Sequence, residues 1–248
     1  MRRSCGTLSA LVASAVLLVS CGSGSTKQTI TIGAASSLTE AFTEIGAAFE
    51  QANPDIDAQF TFASSSDLVA QITEGSPIDV FAAADSASID RLADSGLDTS
   101  NSRVFASNSL AIIVGAGNPH GLSDLSDLAD DELVLILADP SVPLGKYTEQ
   151  ILYSAGVQVR PSSFEQSAKA VVAKVVSGEA DAGIVYSTDI RAAGETADGV
   201  DIPEAANVTA TYPIMALPGS TGAARSFIDF VMSDAGQSIL AAHGFGAP

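Results

Sequence analysis

Along this chain, apolar and polar positions switch repeatedly between two periods. From 29 to 34, β-branched and small residues alternate. After Ser36-Ser37 the apolar positions become Leu38, Phe42, Ile45 and Phe49, spacings of three and four that put one apolar stripe on a helix. Strand, turn and helix are predicted, with Ser37 and Glu40 as a capping box and Asn53-Pro54 ending the helix. The same reading predicts a strand at 56–63, a short helix opened by Ser64-Ser65-Ser66-Asp67 that stops near Gly75, a buried strand at 79–83 and a helix at 86–93.

A strand at 110–115 runs into a Gly-Asn-Pro loop, after which the pattern starts again. Strands are predicted at 133–138, 182–186 and 208–217. Helices are predicted at 146–155, from Ser163 or Phe164 to Ser177-Gly178, and over 223–242. Strands alternating with helices predict an α/β protein built from doubly wound parallel sheets. Residues 29–248 are enough for two lobes of about 100 residues each. In such sheets ligands sit beyond the carboxyl ends of the strands, so the strand-to-helix turns are the segments to read for chemistry.

The N-terminus changes the picture of where the protein works. Arg2 and Arg3 precede an apolar run from Leu8 to Val19, too short to span a bilayer comfortably, and the run closes on Leu18-Val19-Ser20-Cys21. Residues 1–20 are read as an export signal, Cys21 as the lipidated first residue of the mature chain, and 21–28 as a Gly/Ser/Thr tether. The expected location is the extracytoplasmic face of the cell membrane, held by acyl chains alone. Cys5 falls in the signal, so the mature chain carries one cysteine and no internal disulfide.

Charge excludes some partners. The whole chain has 11 bases and 29 acids, a net of −18; without Arg2 and Arg3 nine bases remain, a net of −20. Such a surface repels nucleic acid. A site for an anion on this chain must therefore work by local dipoles. Four turns offer them: Ala35-Ser36-Ser37-Leu38, Ala63-Ser64-Ser65-Ser66, Val142-Pro143-Leu144-Gly145 and Glu165-Gln166-Ser167-Ala168. Each starts a helix, and a helix start behaves as roughly half a positive charge, so four aimed at one point would balance a dianion. Taken singly, Ser37 is an ordinary cap and Tyr186, at the end of its strand, an ordinary core residue. Recurrence is what gives them weight.

Ala34-Ala35-Ser36-Ser37-Leu38-Thr39, Phe62-Ala63-Ser64-Ser65-Ser66, and Pro77-Ile78-Asp79-Val80-Phe81 with Ala84-Asp85 resemble, in order, the motifs of the molybdate-binding proteins of ABC importers. Asn108-Ser109-Leu110, Asp139-Pro140 with Val142-Pro143-Leu144-Gly145-Lys146-Tyr147, and Gly183-Ile184-Val185-Tyr186-Ser187-Thr188-Asp189 continue the resemblance to the Gly244-Phe245-Gly246 end. It implies a two-lobed periplasmic-binding-protein type II fold with the ligand in the interlobe cleft. Lobe 1 would comprise 29–112 with 211–248, and lobe 2 would comprise 113–210. Carried over by position, it implies an oxyanion, molybdate or tungstate, held by hydroxyl and backbone N–H of Ser37 and Ser65, the N–H of Leu144 and Ser167, and the Tyr186 hydroxyl. Leu144 and Ser167 depart from the usual Ala and Val; Leu144 would narrow the pocket and Ser167 would offer an extra hydroxyl. It also implies a membrane permease with its ATPase as partners, a monomer, no cofactor and no catalysis.

Chemistry bears on the choice of anion. Molybdate, tungstate and sulfate offer acceptors only, whereas phosphate keeps a proton near neutrality and calls for a carboxylate. None of the five positions supplies one; Asp67 and Asp139, near in sequence, stay open, as does sulfate or another small oxyanion or organic anion on the same fold. Rival classes fare worse. His120 and His243 are the only histidines and no Gly-x-Ser-x-Gly elbow occurs, which disfavours a hydrolase. Ligand spacing for zinc or calcium is missing, and Tyr147, Tyr153, Tyr186 and Tyr212 are all separated, so a bare metal ion lacks a site. An organic acid would want an Arg to fork its carboxylate, and none falls in the four turns.

Overall fold

The computed structural model describes residues 27–248. The segments expected to form the export signal, the Cys21 anchor and the tether up to residue 26 lie outside the described residues. The chain enters the fold at β1 (Gln28–Ala35), so Gln28 belongs to the sheet and not to the tether. A 3-10 turn (Ser36–Leu38), α1 (Thr39–Ala52), β2 (Ile56–Ala63), α2 (Ser65–Thr73), β3 (Val80–Ala82), α3 (Ser86–Asp94) and β4 (Arg103–Asn108) follow. Then come β5 (Leu110–Gly115), β6 (Leu135–Ala138), α4 (Pro143–Ala155), β7 (Ser163–Glu165), α5 (Ala168–Val176), β8 (Ala182–Tyr186), α6 (Ser187–Ala193) and β9 (Ala197–Asp201). The chain ends with β10 (Ala210–Ala216), α7 (Gly222–Met232) and α8 (Asp234–Ala242).

Two five-stranded sheets result, in the orders β2-β1-β3-β10-β4 and β7-β6-β8-β5-β9. The first is wrapped on both faces, and the strand alternation shows it. Val80 and Ala82 of β3, with Ile214 and Ala216 of β10, join the cluster containing Phe42, Phe49 and Phe227 from α1 and α7. Phe81 and Met215, one residue along in each strand, join Leu68, Ile72, Ile89 and Leu92 from α2 and α3. Successive side chains leave opposite faces of a strand, so one strand feeds two helical layers. Burying these side chains stabilises the fold by roughly 1.5–3 kcal/mol for each large one.

The structure corrects the expectation of all-parallel sheets. β10 runs antiparallel to β3 and β4, and β5 runs antiparallel to β8 and β9. Each is the strand delivered straight from the other lobe, so it enters from the end opposite to a helix-connected strand and can pair only in reverse. The change of sheet falls at Ser109 and not at 112, because β5 pairs with both its neighbours along its length in the second sheet. The return passage lies between Asp201 and Ala210. In β10 the register shifts between Tyr212 and Pro213, where a proline without an N–H interrupts the ladder.

The predicted capping box at Ser37 and Glu40 does not form. Ser36–Leu38 closes a 3-10 turn first, Thr39 Oγ1 donates to Ser36 O at 2.7 Å, and α1 starts at Thr39. Ser37 is thereby released from capping, and the Glu40 carboxylate points to the other lobe. No helix among the described residues is long and apolar enough to cross a membrane.

Candidate anion-binding site

The C-terminal ends of β1, β2, β6, β7 and β8 converge on the cleft between the sheets, and each hands the chain to a helix start there. Ser37, Ser65, Leu144, Ser167 and Tyr186 all line one cavity of about 20 Å³. That space admits a single small species. Besides these five, the lining consists of alanines, serines, Val142 and Pro143, with no carboxylate, Lys, Arg or His. The positive character of the site comes from backbone. Ser65 opens α2 and Leu144 is the second residue of α4, positions whose N–H groups have no carbonyl inside their own helix. Pro143, at the first position of α4, gives up an N–H that had no partner to lose.

Local chemistry frees the two lobe 1 hydroxyls for the cavity. Ser64, not Ser65, caps α2: its Oγ accepts from Asp67 N at 3.1 Å and donates to Asp67 Oδ2 at 2.7 Å. Ser65 Oγ accepts from Ala84 N at 3.0 Å, which leaves its own proton for the cavity it lines. Ser37 Oγ lies 3.0 Å from the Tyr212 hydroxyl, and both side chains are buried. Asp67 and Asp139 are thus placed. Asp67 is engaged with Ser64, Asp139 Oδ1 accepts from Ser141 N and Oγ at 2.9 and 2.6 Å, and neither lines the cavity.

From the other lobe, Tyr186 brings a buried hydroxyl with no hydrogen-bond partner among the described residues. Burial, reinforced by Tyr212, pushes this phenol well above its ordinary range, so it keeps its proton and stays a donor. Ser167 caps α5, its Oγ accepting from Ala170 N at 3.2 Å, which leaves its own proton, like that of Ser65, for the cavity it lines. Leu144 is buried and closes one wall. The loop ahead of α4 is drawn so tight that a Cβ on Gly145 would sit 2.0 Å from Asp139 O, which is why glycine stands there.

The cleft is closed in this structure by contacts on either side of the cavity. Ser66 Oγ donates to Ser141 O at 2.8 Å, and Lys169 Nζ donates to both oxygens of Glu40 at 2.9 and 2.8 Å. Lys169 Nζ also lies 3.5 Å from Asp189 Oδ1, a carboxylate with no exposed surface. Burial raises the pKa of Asp189 to about 6 against the pull of Lys169. Asp189 Oδ2 accepts from Tyr186 N at 3.3 Å, tying the acid to the residue that carries the orphan phenol.

Sequence reasoning left Tyr212, Asn108, Lys169 and Asp189 without a role and gave Glu40 only that of a cap. Asn108 and Asp189 lay inside motifs carried by the resemblance. Tyr212 had no local signal, because its partner Ser37 is 175 positions away. No group of three or more His, Cys, Asp or Glu side chains suited to a metal ion occurs among the described residues.

Known proteins share both the sequence and the fold. Residues 30–246 match the family described as bacterial extracellular solute-binding protein. The molybdate-binding protein ModA of Mycobacterium tuberculosis is 38% identical over 257 residues, which span 99% of this chain and 98% of that protein. Among solved structures, the periplasmic molybdate-binding protein of Azotobacter vinelandii superposes with a TM-score of 0.77 at 20% identity, covering 88% of this chain and 99% of that one. The sulfate-binding protein SubI of Mycobacterium tuberculosis does so with a TM-score of 0.76 at 20% identity, covering 88% and 86%. At that identity the two superpositions establish a shared fold, and the fold alone serves more than one oxyanion.

Proposed function

The chain belongs to the family of bacterial extracellular solute-binding proteins, and from that membership we propose that it captures molybdate between its two lobes and delivers it to an ABC importer. The observation that carries the reading is the composition of the cavity: hydroxyls and helix-start N–H groups from both lobes around about 20 Å³, with no acceptor carboxylate in the lining. A fully ionised tetrahedral oxyanion presents acceptors in every direction, so a shell of donors suits it and charge balance needs no cation. The M. tuberculosis relative, a molybdate-binding protein by name, supports the choice among oxyanions.

In this reading Ser37 and Ser65 bind through hydroxyl and N–H, Leu144 and Ser167 through N–H, and Tyr186 through its phenol. Tungstate, of the same charge and shape, is a second ligand. The protein works as a monomer, carries out no reaction, and is held to the membrane by acyl chains on Cys21. The anion draws the lobes together by giving each a partner it lacks when apart, and the contacts through Ser66 and Lys169 add to the closed state. A permease and its ATPase then receive the loaded form. Nanomolar to micromolar binding would correspond to about 8 to 12 kcal/mol.

Calorimetric titration with molybdate at neutral pH, repeated in the presence of millimolar sulfate and then phosphate, tests the assignment. Binding that survives both competitors is the expected result. Ready displacement by sulfate would transfer the assignment to sulfate on the same site, and absence of heat with every oxyanion would remove it.

A further inference from the structure

Four groups around Ser37 allow the direction of the hydrogen bonds to be worked out. Asn108, the last residue of β4, accepts at Oδ1 from Ser109 N at 3.0 Å, which fixes which end of its amide is oxygen. Its Nδ2 therefore faces Thr188 Oγ1 at 2.9 Å and the Tyr212 hydroxyl at 3.4 Å. An amide nitrogen only donates, so Tyr212 accepts from Asn108. The Tyr212 proton is left with Ser37 Oγ, 3.0 Å away, as its acceptor. Ser37 must then turn its own proton elsewhere, and the cavity it lines is where an acceptor would stand. Tyr212 cannot swing out of the arrangement. Its ring has no exposed surface and is held edge-on by Phe105, Tyr186 and Phe245 with centroids 6.3, 5.8 and 5.3 Å away.

The geometry points to Tyr212, oriented by Asn108, as a positioning residue that locks the Ser37 hydroxyl into donating toward the anion and so sets the site against oxyanions that carry a proton. The inference rests on the oxyanion reading above and adds to it a cause for selectivity. Ser65 repeats the device with a backbone donor, Ala84 N, at 3.0 Å. With both lobe 1 hydroxyls committed as donors and no carboxylate in the lining, the O–H of hydrogen phosphate would meet another proton at Ser37 and at Ser65. The outer end of the relay, Thr188, belongs to α6 of the second lobe, so the relay joins residues of both lobes.

Two substitutions test it from different ends of the relay. Tyr212→Phe removes the donor to Ser37 and leaves that hydroxyl free to accept. Asn108→Asp replaces the donor by an acceptor. Tyr212 then gives its proton to the new carboxylate and no longer to Ser37, whose Oγ–H turns to the phenol and whose lone pairs face the cavity. Competitive titrations are run at about pH 8, where molybdate, sulfate and hydrogen phosphate are all dianions, so any change in net charge cancels in the affinity ratios and sulfate serves as the size control for phosphate. The expected result is a fall of about tenfold or more in the preference for molybdate and for sulfate over hydrogen phosphate in Tyr212→Phe, and a larger fall in Asn108→Asp. Thermal melts of each variant establish that it is folded, and either one alone carries the test. Ratios within twofold of wild type, with all affinities lowered together, overturn the inference and leave the molybdate reading standing, as does a wild type that takes hydrogen phosphate as well as molybdate. A wild type that binds no oxyanion removes both.

Discussion

Lys169 Nζ holds both carboxylate oxygens of Glu40, at 2.9 and 2.8 Å, and so joins the second residue of the helix after Ser37 to the second residue of the helix after Ser167. The pair crosses the cleft from one lobe to the other. Both side chains keep some exposure, 29% and 42%, so the pair contributes modestly, about 1 kcal/mol or less. Lys169→Ala is expected to weaken molybdate binding by up to about fivefold at low salt. The difference should shrink as salt is raised, because a partly exposed pair is screened. Titrations at two ionic strengths check both parts, and a loss that does not respond to salt would assign the effect to the contact of Lys169 with the buried Asp189.

For Ser37→Ala and Ser65→Ala, affinity should fall by at least about fivefold each, the ~1 kcal/mol of a charge-assisted donor to a buried anion. Both variants should also lose stability: Ser65→Ala strips the acceptor from Ala84 N and Ser37→Ala strips it from the buried Tyr212 hydroxyl, so each should unfold more easily by about 1–2 kcal/mol, readable in urea titrations. Unchanged affinity in both variants would sink the site assignment.

Tyr186→Phe should separate binding from stability. The phenol is buried with no protein partner among the described residues, and an unsatisfied buried hydroxyl is unfavourable by about 1–3 kcal/mol. Removing it is expected to leave the melting temperature of the ligand-free protein unchanged or higher while molybdate affinity drops several-fold. A lower melting temperature together with unaltered affinity would make Tyr186 a core residue only.

Asp189 predicts a pH effect of definite sign. Burial raises its pKa from 3.8 to about 6, so the folded protein holds this proton more tightly than the unfolded chain does. Its contribution to stability is fully present below about pH 4 and is lost as pH rises through about 6. Relative to wild type, Asp189→Asn should therefore gain on the order of 2 to 3 kcal/mol between about pH 4 and pH 7, measured as the difference of two unfolding free energies. A difference independent of pH over that window would show that Asp189 titrates as an ordinary carboxylate.

The sequence by itself determined the elements with a two-sided or strongly striped burial pattern. The alternation at 56–63 and the continuous apolar runs at 110–115 and 182–186 correspond to β2, β5 and β8 with the same bounds. Three strands escaped it, β4, β7 and β9, and all three lie at sheet edges. An edge strand needs fewer apolar residues, and Phe164 of β7 is 48% exposed while β9 reads Ala-Asp-Gly-Val-Asp. Their pairing partners, far along the chain, decide that they are strands. The recurrent Ser-rich turns were equally legible, because a helix start after a strand is a local event.

What only the tertiary structure decided is direction and company. Ser37 looked like a cap next to Glu40, yet the 3-10 turn hands its hydroxyl to Tyr212 and sends Glu40 across the cleft to Lys169. Asp67 and Asp139 sat close enough in sequence to serve a protonated anion, and local hydrogen bonds turn both away from the cavity. Periodicity along a chain reports which face of an element is buried. It carries no information on which distant side chain meets that face, and the charge and proton balance of this site is set by such meetings, between residues 129 and 175 positions apart.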